Sequence, residues 1–404
     1  MFPKTGIRDN DSDTVNDPSL LLDRREVSGF PELSVVLPAR NEELTIGESI
    51  TKIQAIFAAN KIKGEIIVSD SSTDRTAEIA SGLGATVVYP EKNGYGNAYL
   101  EGIRQVNTDI IVMMDSDGTY DPSDILPMID LLRNGSDLVI GSRFKGTIKP
   151  GAMTPLHRYI GNPLLTWILN VIFHTHFSDA HSGFRAISRE AFEKLHLKTG
   201  GMEFASEMLV MASLKNLVID EIPISYYPRR APSNLHSFAD GWRHLRLILL
   251  IKPVPFLAIP GLIFSLVGVV LMTLFFLEGN VEFSHLHSFI LGSILLIGGI
   301  QVIIMGIETE VYSIIHGYME KTTTMKYFLN YHSLEKVLIV GGLLIIGGFI
   351  TGTSVLMSWV YADFGEISHI STSVIALSMI LIGIMVISCS ILISMMLLQN
   401  GDDV

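Results

Sequence analysis

Two aspartates one residue apart, Asp115 and Asp117, follow the run Asp109-Ile-Ile-Val-Met-Met114. That run predicts a buried strand. Alternate strand residues point to the same side, so both carboxylates project together where the strand gives way to a loop. Hard oxygen ligands at the carboxyl end of a strand suit Mg²⁺ or Mn²⁺, ions that usually take one or two protein carboxylates plus substrate phosphates. The pair points to chemistry on a diphosphate. For the triplet standing alone, a solvated turn is the competing reading.

The surrounding pattern says what positions the pair. Residues 31–230 alternate short apolar runs with helical periodicity. Strands are expected over Leu33–Leu37, Glu65–Ser69, Ala85–Tyr89, Asp109–Met114 and Asp137–Ile140, with helices over Glu43–Ala59, Thr73–Gly82, Asn97–Val106 and Ser123–Arg133. Such alternation implies a mainly parallel α/β sheet covered on both faces, with ligands beyond the carboxyl ends of the strands. Arg40, Asn41 and Glu42 follow the first strand, Asp70 the second, Asp115 and Asp117 the fourth, and Arg143 the fifth. Their convergence on one edge carries more weight than any single motif. Asp70 and Asp74 also suit helix N-caps, and Asn93-Gly-Tyr-Gly96 suits a plain turn.

The chain has 404 residues, and 48% of them are hydrophobic. Four uncharged stretches, 254–277, 286–307, 337–361 and 370–399, each meet the roughly 20 residues needed to cross a hydrocarbon core. Gly348-x-x-x-Gly352 in the third allows close helix approach. Lys and Arg mark the cytoplasmic side of a span. Arg243, Arg246 and Lys252 precede the first span, and Lys321, Lys326 and Lys336 follow the second, whereas the first and third links carry no such residue. An integral membrane protein of the cell membrane is expected, with the N-terminal half and the C-terminus cytoplasmic. The apolar run Leu164–Phe173, flanked by His157, Arg158, His174 and His176, suits either an in-plane interfacial helix or a buried core helix. Residues 1–29 are polar and show no signal peptide. The acidic residues crowded there predict a disordered tail. The net charge of −12 argues against nucleic acid as a partner. The one cysteine, Cys389, excludes disulfides within the chain and a cysteine-based zinc site.

Pro38-Ala-Arg40-Asn41-Glu42, Asp70-Ser-Ser-Thr-Asp74 and Asp115-Ser116-Asp117, in this order and on these strand ends, resemble family 2 glycosyltransferases with the GT-A fold. Asn93-Gly-Tyr-Gly96, Gly141-Ser-Arg143 and Ser182-Gly-Phe-Arg185 extend the match. Arg229-Arg-Ala-Pro-Ser233-Asn234 followed by Asp240-Gly-Trp-Arg-His-Leu245 is similar to the dolichyl-phosphate mannose synthase and polyprenyl-phosphate glycosyltransferase subgroup. The resemblance implies a tail over 1–30, a GT-A (Rossmann-like) domain over 31–235, an interfacial helix over 236–252 and a four-helix transmembrane domain over 253–404. It implies inverting, metal-dependent transfer of one sugar from a nucleotide sugar to a polyprenyl or dolichyl phosphate. The donor would be of GDP-mannose or UDP-glucose type. Pro38, Arg40, Glu42, Val68 and Asp70 would line the nucleotide pocket, with Ser116 touching the nucleotide. Asp115 and Asp117 would hold Mg²⁺ or Mn²⁺. Asp117, Arg143 and Arg229 would be catalytic, and Arg185, Glu203, Glu207, Ser233 and Asn234 would lie on the acceptor side. Arg229 and Arg230 also suit anchoring to anionic headgroups. Ser69 and Asn234 depart from the subgroup pattern, where an acid and a lysine are frequent.

The alternatives are a processive polysaccharide synthase and a non-enzymatic transporter or flippase subunit. A processive polysaccharide synthase typically carries Gln-x-x-Arg-Trp after its core, and no such segment occurs. A transporter or flippase subunit would carry charged residues well inside its spans, and these have none there. The spans leave room for pairing with a second copy of the chain.

Overall fold

The computed structural model of this protein describes residues 32–230, 237–277, 285–319, 331–364 and 369–398. The acidic tail over 1–30, and Ser233 and Asn234, lie outside the described residues. The chain forms two compact units, Met1–His244 and Leu245–Val404.

The first unit is built on seven strands: β1 (Leu33–Ala39), β2 (Gly64–Asp70), β3 (Thr86–Val88), β4 (Ile110–Met113), β5 (Leu138–Ile148), β6 (Arg185–Ser188) and β7 (Ile219–Tyr226). Their spatial order is β3-β2-β1-β4-β6-β5-β7. β1 pairs in parallel with β2 and β4, and β2 with β3. β6 runs antiparallel to both of its neighbours, and β5 and β7 pair in parallel. Parallel neighbours cannot be joined by a tight turn, so helices make the crossings. These are α1 (Ile46–Ala59), α2 (Thr76–Gly82), α3 (Tyr95–Arg104) and α4 (Ile125–Arg133). α1 turns Ile46, Ile50, Ile53 and Phe57 into the core, a helical stripe that matches the wholly buried Val35, Leu37 and Val68 of the sheet.

Register brings the functional loops together. Ala39 lies beside Asp70 and Val36 beside Met113, so the chain leaves β1, β2 and β4 at one sheet edge. β5 is longer than the strand expected over Asp137–Ile140. Pairing of Thr147 with Ser225 and Ile148 with Tyr226 carries it on past an irregularity, which places Arg143 within the strand and not after it.

After β5 come α5 (Asn162–Phe173), α6 (Arg189–Leu195) and α7 (Phe204–Leu214). α5 is apolar on two sides. Thr166, Leu169 and Phe173 are buried, whereas Leu164, Trp167 and Val171 are exposed, as are Tyr159 and Ile160 in the preceding turn.

α8 (Ser237–Ile251) runs from the first unit into the second. There, α9 (Ile259–Leu277), α10 (Leu286–Ile315), α11 (Tyr331–Tyr361) and α12 (Ile370–Leu398) carry four spans long and apolar enough to cross a membrane. They pack as two antiparallel pairs through small residues. Gly261 meets Gly299 and Gly268 meets Gly292 between α9 and α10, and Gly341 meets Gly383 between α11 and α12. A Cβ at Gly268 would lie 2.5 Å from the carbonyl oxygen of Gly292. Within the expected Gly348-x-x-x-Gly352 stripe only Gly348 makes such an approach, to Ala376 and Ile380. The hydroxyls of Ser293 and Ser378, 2.9 Å apart, join α10 to α12.

Candidate active site

The loops after β1 and β2 are stitched to each other. Asn41 has φ 58°, a left-handed conformation that Asn tolerates better than most residues. Its amide donates to the Ser72 hydroxyl at 2.7 Å, and its side-chain oxygen accepts from the Thr73 amide at 2.9 Å. Ser72 in turn donates to Oδ1 of the buried Asp70 at 2.5 Å. Asp74 accepts from the Thr76 amide at 3.0 Å from one residue before the N-cap, which is Arg75 and not the expected Asp74. Arg40 is exposed and Pro38 half-buried at the rim, whereas Val68 is wholly buried within β2 among core residues.

Beyond β4, each aspartate of the pair has one oxygen occupied. The Tyr95 hydroxyl donates to Oδ1 of Asp115 at 3.0 Å. Oδ1 of Asp117 accepts from the Thr119 amide at 3.1 Å and hydroxyl at 2.6 Å. No protein donor hydrogen-bonds Oδ2 of either acid among the described residues. Burial, and then the neighbouring charge of Asp117, push the Asp115 pKa up to about 7. Gly183 makes this packing possible: a Cβ there would lie 2.6 Å from Oδ2 of Asp115 and 2.7 Å from the Tyr95 hydroxyl. Ser116 is buried and donates to the Pro38 carbonyl at 2.6 Å, so its hydroxyl ties the loop to the end of β1.

Arg229 joins this group. Its guanidinium hydrogen-bonds and ion-pairs with Oε1 of Glu42, and its Nε lies 3.6 Å from Oδ2 of Asp117. Glu42 is buried, and its Oε2 accepts from the Thr45 hydroxyl at 3.0 Å. Burial raises its pKa, partly offset by Arg229. Arg143 is held from behind by a partner that sequence gave no signal for. Oδ2 and Oδ1 of Asp179 accept from its Nε at 2.6 Å and its terminal nitrogen at 2.7 Å. Burial opposes the charge on Arg143, but Asp179 outweighs it and holds the pKa well above the ordinary value.

The acceptor-side expectations divide. Arg185 is not drawn to the two aspartates. It is wholly enclosed, and its guanidinium donates to the carbonyls of Ser182, Ala205 and Ala180 at 2.9, 2.6 and 2.9 Å. Glu207 is likewise buried and accepts from the Thr199 amide at 2.9 Å and hydroxyl at 2.6 Å. Both residues fix loops next to the site. Glu203, at the start of α7, has a buried Oε2 with no hydrogen-bond partner among the described residues. Sequence reasoning passed over Tyr95, although it lies inside the quoted Asn93-Gly-Tyr-Gly96. It also passed over His181 and His244, whose rings meet edge-to-face at 4.5 Å with Nδ1 of His244 2.8 Å from the Ser206 hydroxyl.

Among the described residues no three His, Cys, Asp or Glu side chains gather as a metal site. The residues present still fit a hard divalent ion that is shared with a ligand. Two carboxylates each keep an oxygen available, and a diphosphate and water would complete the shell.

Comparison with known proteins agrees with this α/β domain and its four apolar spans. Residues 34–196 match the model of Glycosyl transferase family 2, and residues 307–397 that of the Glycosyltransferase family 2 C-terminal transmembrane region. The low-salt glycan biosynthesis hexosyltransferase Agl6 of Haloferax volcanii is 39% identical over 368 residues, 90% of this chain and 88% of that protein. The dolichyl-phosphate hexose transferase of the same organism is 32% identical over 214 residues, 52% of this chain and 90% of that protein. Among solved structures, glucosyl-3-phosphoglycerate synthase from Mycobacterium tuberculosis matches at 26% identity and a TM-score of 0.45, over 54% of this chain and 79% of that one. The chain belongs to glycosyltransferase family 2. It is an integral membrane enzyme, with a GT-A catalytic domain followed by four apolar helices.

Proposed function

We propose that this enzyme transfers one hexose from a nucleotide sugar, of GDP-mannose or UDP-glucose type, to a polyprenyl or dolichyl phosphate at the cytoplasmic membrane surface. The observation that carries the reading is the cluster of Asp115, Asp117 and Arg229 in a chain that also has four membrane spans. Relatives named as a hexosyltransferase and as a dolichyl-phosphate hexose transferase support the choice of sugar and acceptor.

In this reading an ionised phosphate oxygen of the lipid attacks the anomeric carbon. The bond from that carbon to the diphosphate oxygen breaks, and the nucleoside diphosphate leaves with the electron pair. Attack from the opposite face inverts the configuration. The nucleophile carries no proton to remove, so no strong general base is required. Asp115 and Asp117 hold Mg²⁺ or Mn²⁺, which when bound stabilises the charge growing on the leaving diphosphate. Arg229 adds a planar fork suited to phosphate oxygens. Arg143, locked by Asp179, contributes a fixed positive field that favours the ionised Asp115. Pro38, Arg40, Glu42 and Asp70 border the nucleotide, with Asp70 accepting from the base edge. The exposed apolar side of α5, beside Arg158 and the histidines, rests in the bilayer interface where the isoprenoid acceptor is confined.

The test is a panel of nucleotide sugars incubated with one polyprenyl phosphate and Mn²⁺, read by mass spectrometry of the lipid fraction. One hexose per lipid, lost on chelation of the metal, is expected. Label found only in a water-soluble polymer would replace this reading with processive synthesis.

A further inference from the structure

We infer that Arg229 is a placeholder for the divalent cation: its guanidinium lies between Glu42 and the metal-binding Asp117 and neutralises them until metal and nucleotide enter together. The inference deepens the proposed function and rests on it for the identity of the ligand.

Two buried acids, Glu42 and Asp117, face one another across the Arg229 head group. Each has one oxygen satisfied from its own loop, by Thr45 for Glu42 and by Thr119 for Asp117. The oxygen left over on each, Oε1 of Glu42 and Oδ2 of Asp117, is the one turned to Arg229. Two like charges out of water repel, and a cation between them removes that cost. The guanidinium does so only in part. It is hydrogen-bonded to Glu42, but 3.6 Å from Asp117 is too long for a hydrogen bond, and the buried Arg229 Nε has no hydrogen-bond partner among the described residues. Oδ2 of Asp117 is therefore neutralised at a distance and left uncoordinated, a contact that a hard ion can displace.

The exchange has a direction. A divalent ion arriving alone on Asp117 pushes a half-buried guanidinium off one of its two acids and brings no new acceptor for it. An ion arriving with a nucleoside diphosphate supplies the phosphate oxygens that Arg229 then takes. Metal and diphosphate therefore bind cooperatively, and Arg229 carries the coupling. The neighbouring Arg230, paired with Glu48 at 2.6 Å, anchors the same segment to α1 while Arg229 moves.

The experiment measures Mn²⁺ binding to the full chain in detergent, by electron paramagnetic resonance of the free ion, with and without UDP or GDP. For Arg229→Gln, Mn²⁺ binding without nucleotide should tighten about tenfold or more, because an internal cation no longer competes. The cooperativity between Mn²⁺ and nucleoside diphosphate should fall by a similar factor. Arg229→Lys, which keeps the charge, should stay near the wild type in Mn²⁺ alone. Arg229→Met keeps a long stem and replaces the Gln variant should that one not fold. Unchanged or weaker Mn²⁺ binding in the uncharged variants overturns the placeholder. The sugar-transfer panel on the same preparations separates the two ideas. Tighter Mn²⁺ binding without transfer to lipid retains the placeholder and removes the acceptor assignment, whereas normal wild-type transfer with no change in Mn²⁺ binding removes the placeholder alone.

Discussion

Burial, and then the charge of Asp117, oppose the ionised form of Asp115 and push its pKa up to about 7. The sign follows directly. An acid whose pKa rises on folding costs stability above its ordinary value near 4, and the cost is complete once pH passes the folded value. A metal ion must also displace the proton. Mn²⁺ affinity should therefore fall about tenfold per pH unit below pH 7 and level off above it, a profile that titration calorimetry between pH 5.5 and 8.5 would record. Affinity independent of pH over that range would take Asp115 out of the metal shell. The place of this pair just beyond β4 was legible in the sequence, because the apolar run before it marks the strand. Its supports were not. Tyr95, at the start of α3, and Asp179 reach Asp115 and Arg143 from 20 and 36 residues away, and neither has a local pattern that reveals a partner. Arg185 and Glu207 show the converse: their residue types suggested ligand contact, whereas backbone groups that no sequence pattern displays have claimed them.

At the scale of elements, α5 is the test of how the first unit meets lipid. Trp167 is 61% exposed and Leu164 50%, while Leu169 on the other side is fully enclosed. Removing exposed apolar groups leaves the core intact, so Leu164→Asp with Trp167→Asp should keep the thermal melting point of the protein. Each lost insertion forfeits about 1–2 kcal/mol of interfacial anchoring, so the apparent KM for polyprenyl phosphate should rise roughly tenfold or more, with the KM for the nucleotide sugar unchanged. A fall in melting point with both KM values intact would return the helix to a purely internal role. Either reading of this segment was open from its apolar run and basic flanks, and only the third dimension divides its residues between two sides. β1, β2 and β4 were readable because buried parallel strands are continuous apolar runs. The extension of β5 was not, because its polar second half is held by pairing with β7 and not by its own composition. β6 escaped notice for a different reason: Arg185-Ala-Ile-Ser188 is polar at both ends, whereas β4, equally short, is apolar throughout.

For the whole chain, Cys389 gives experimental access to the orientation across the membrane. As the sole cysteine, it leaves a blank background when changed to Ala. In that background Ser284→Cys, in the link after the first span, should react with an impermeant maleimide in intact cells, while Ser233→Cys should react only after permeabilisation. The opposite pattern would place the catalytic domain outside. The way the spans pair bears on how such a protein is made. α9 closes on α10 and α11 on α12, each through glycines that let backbones touch, and each pair is contiguous in the chain. A hairpin of this kind completes its own interface as soon as its second helix leaves the ribosome, without waiting for anything downstream. The Ser293–Ser378 hydrogen bond must come last, since it alone among these contacts bridges the two hairpins. The expected course of biosynthesis is two self-sufficient insertions followed by one lateral docking, so a chain halted after α10 should already hold a finished pair.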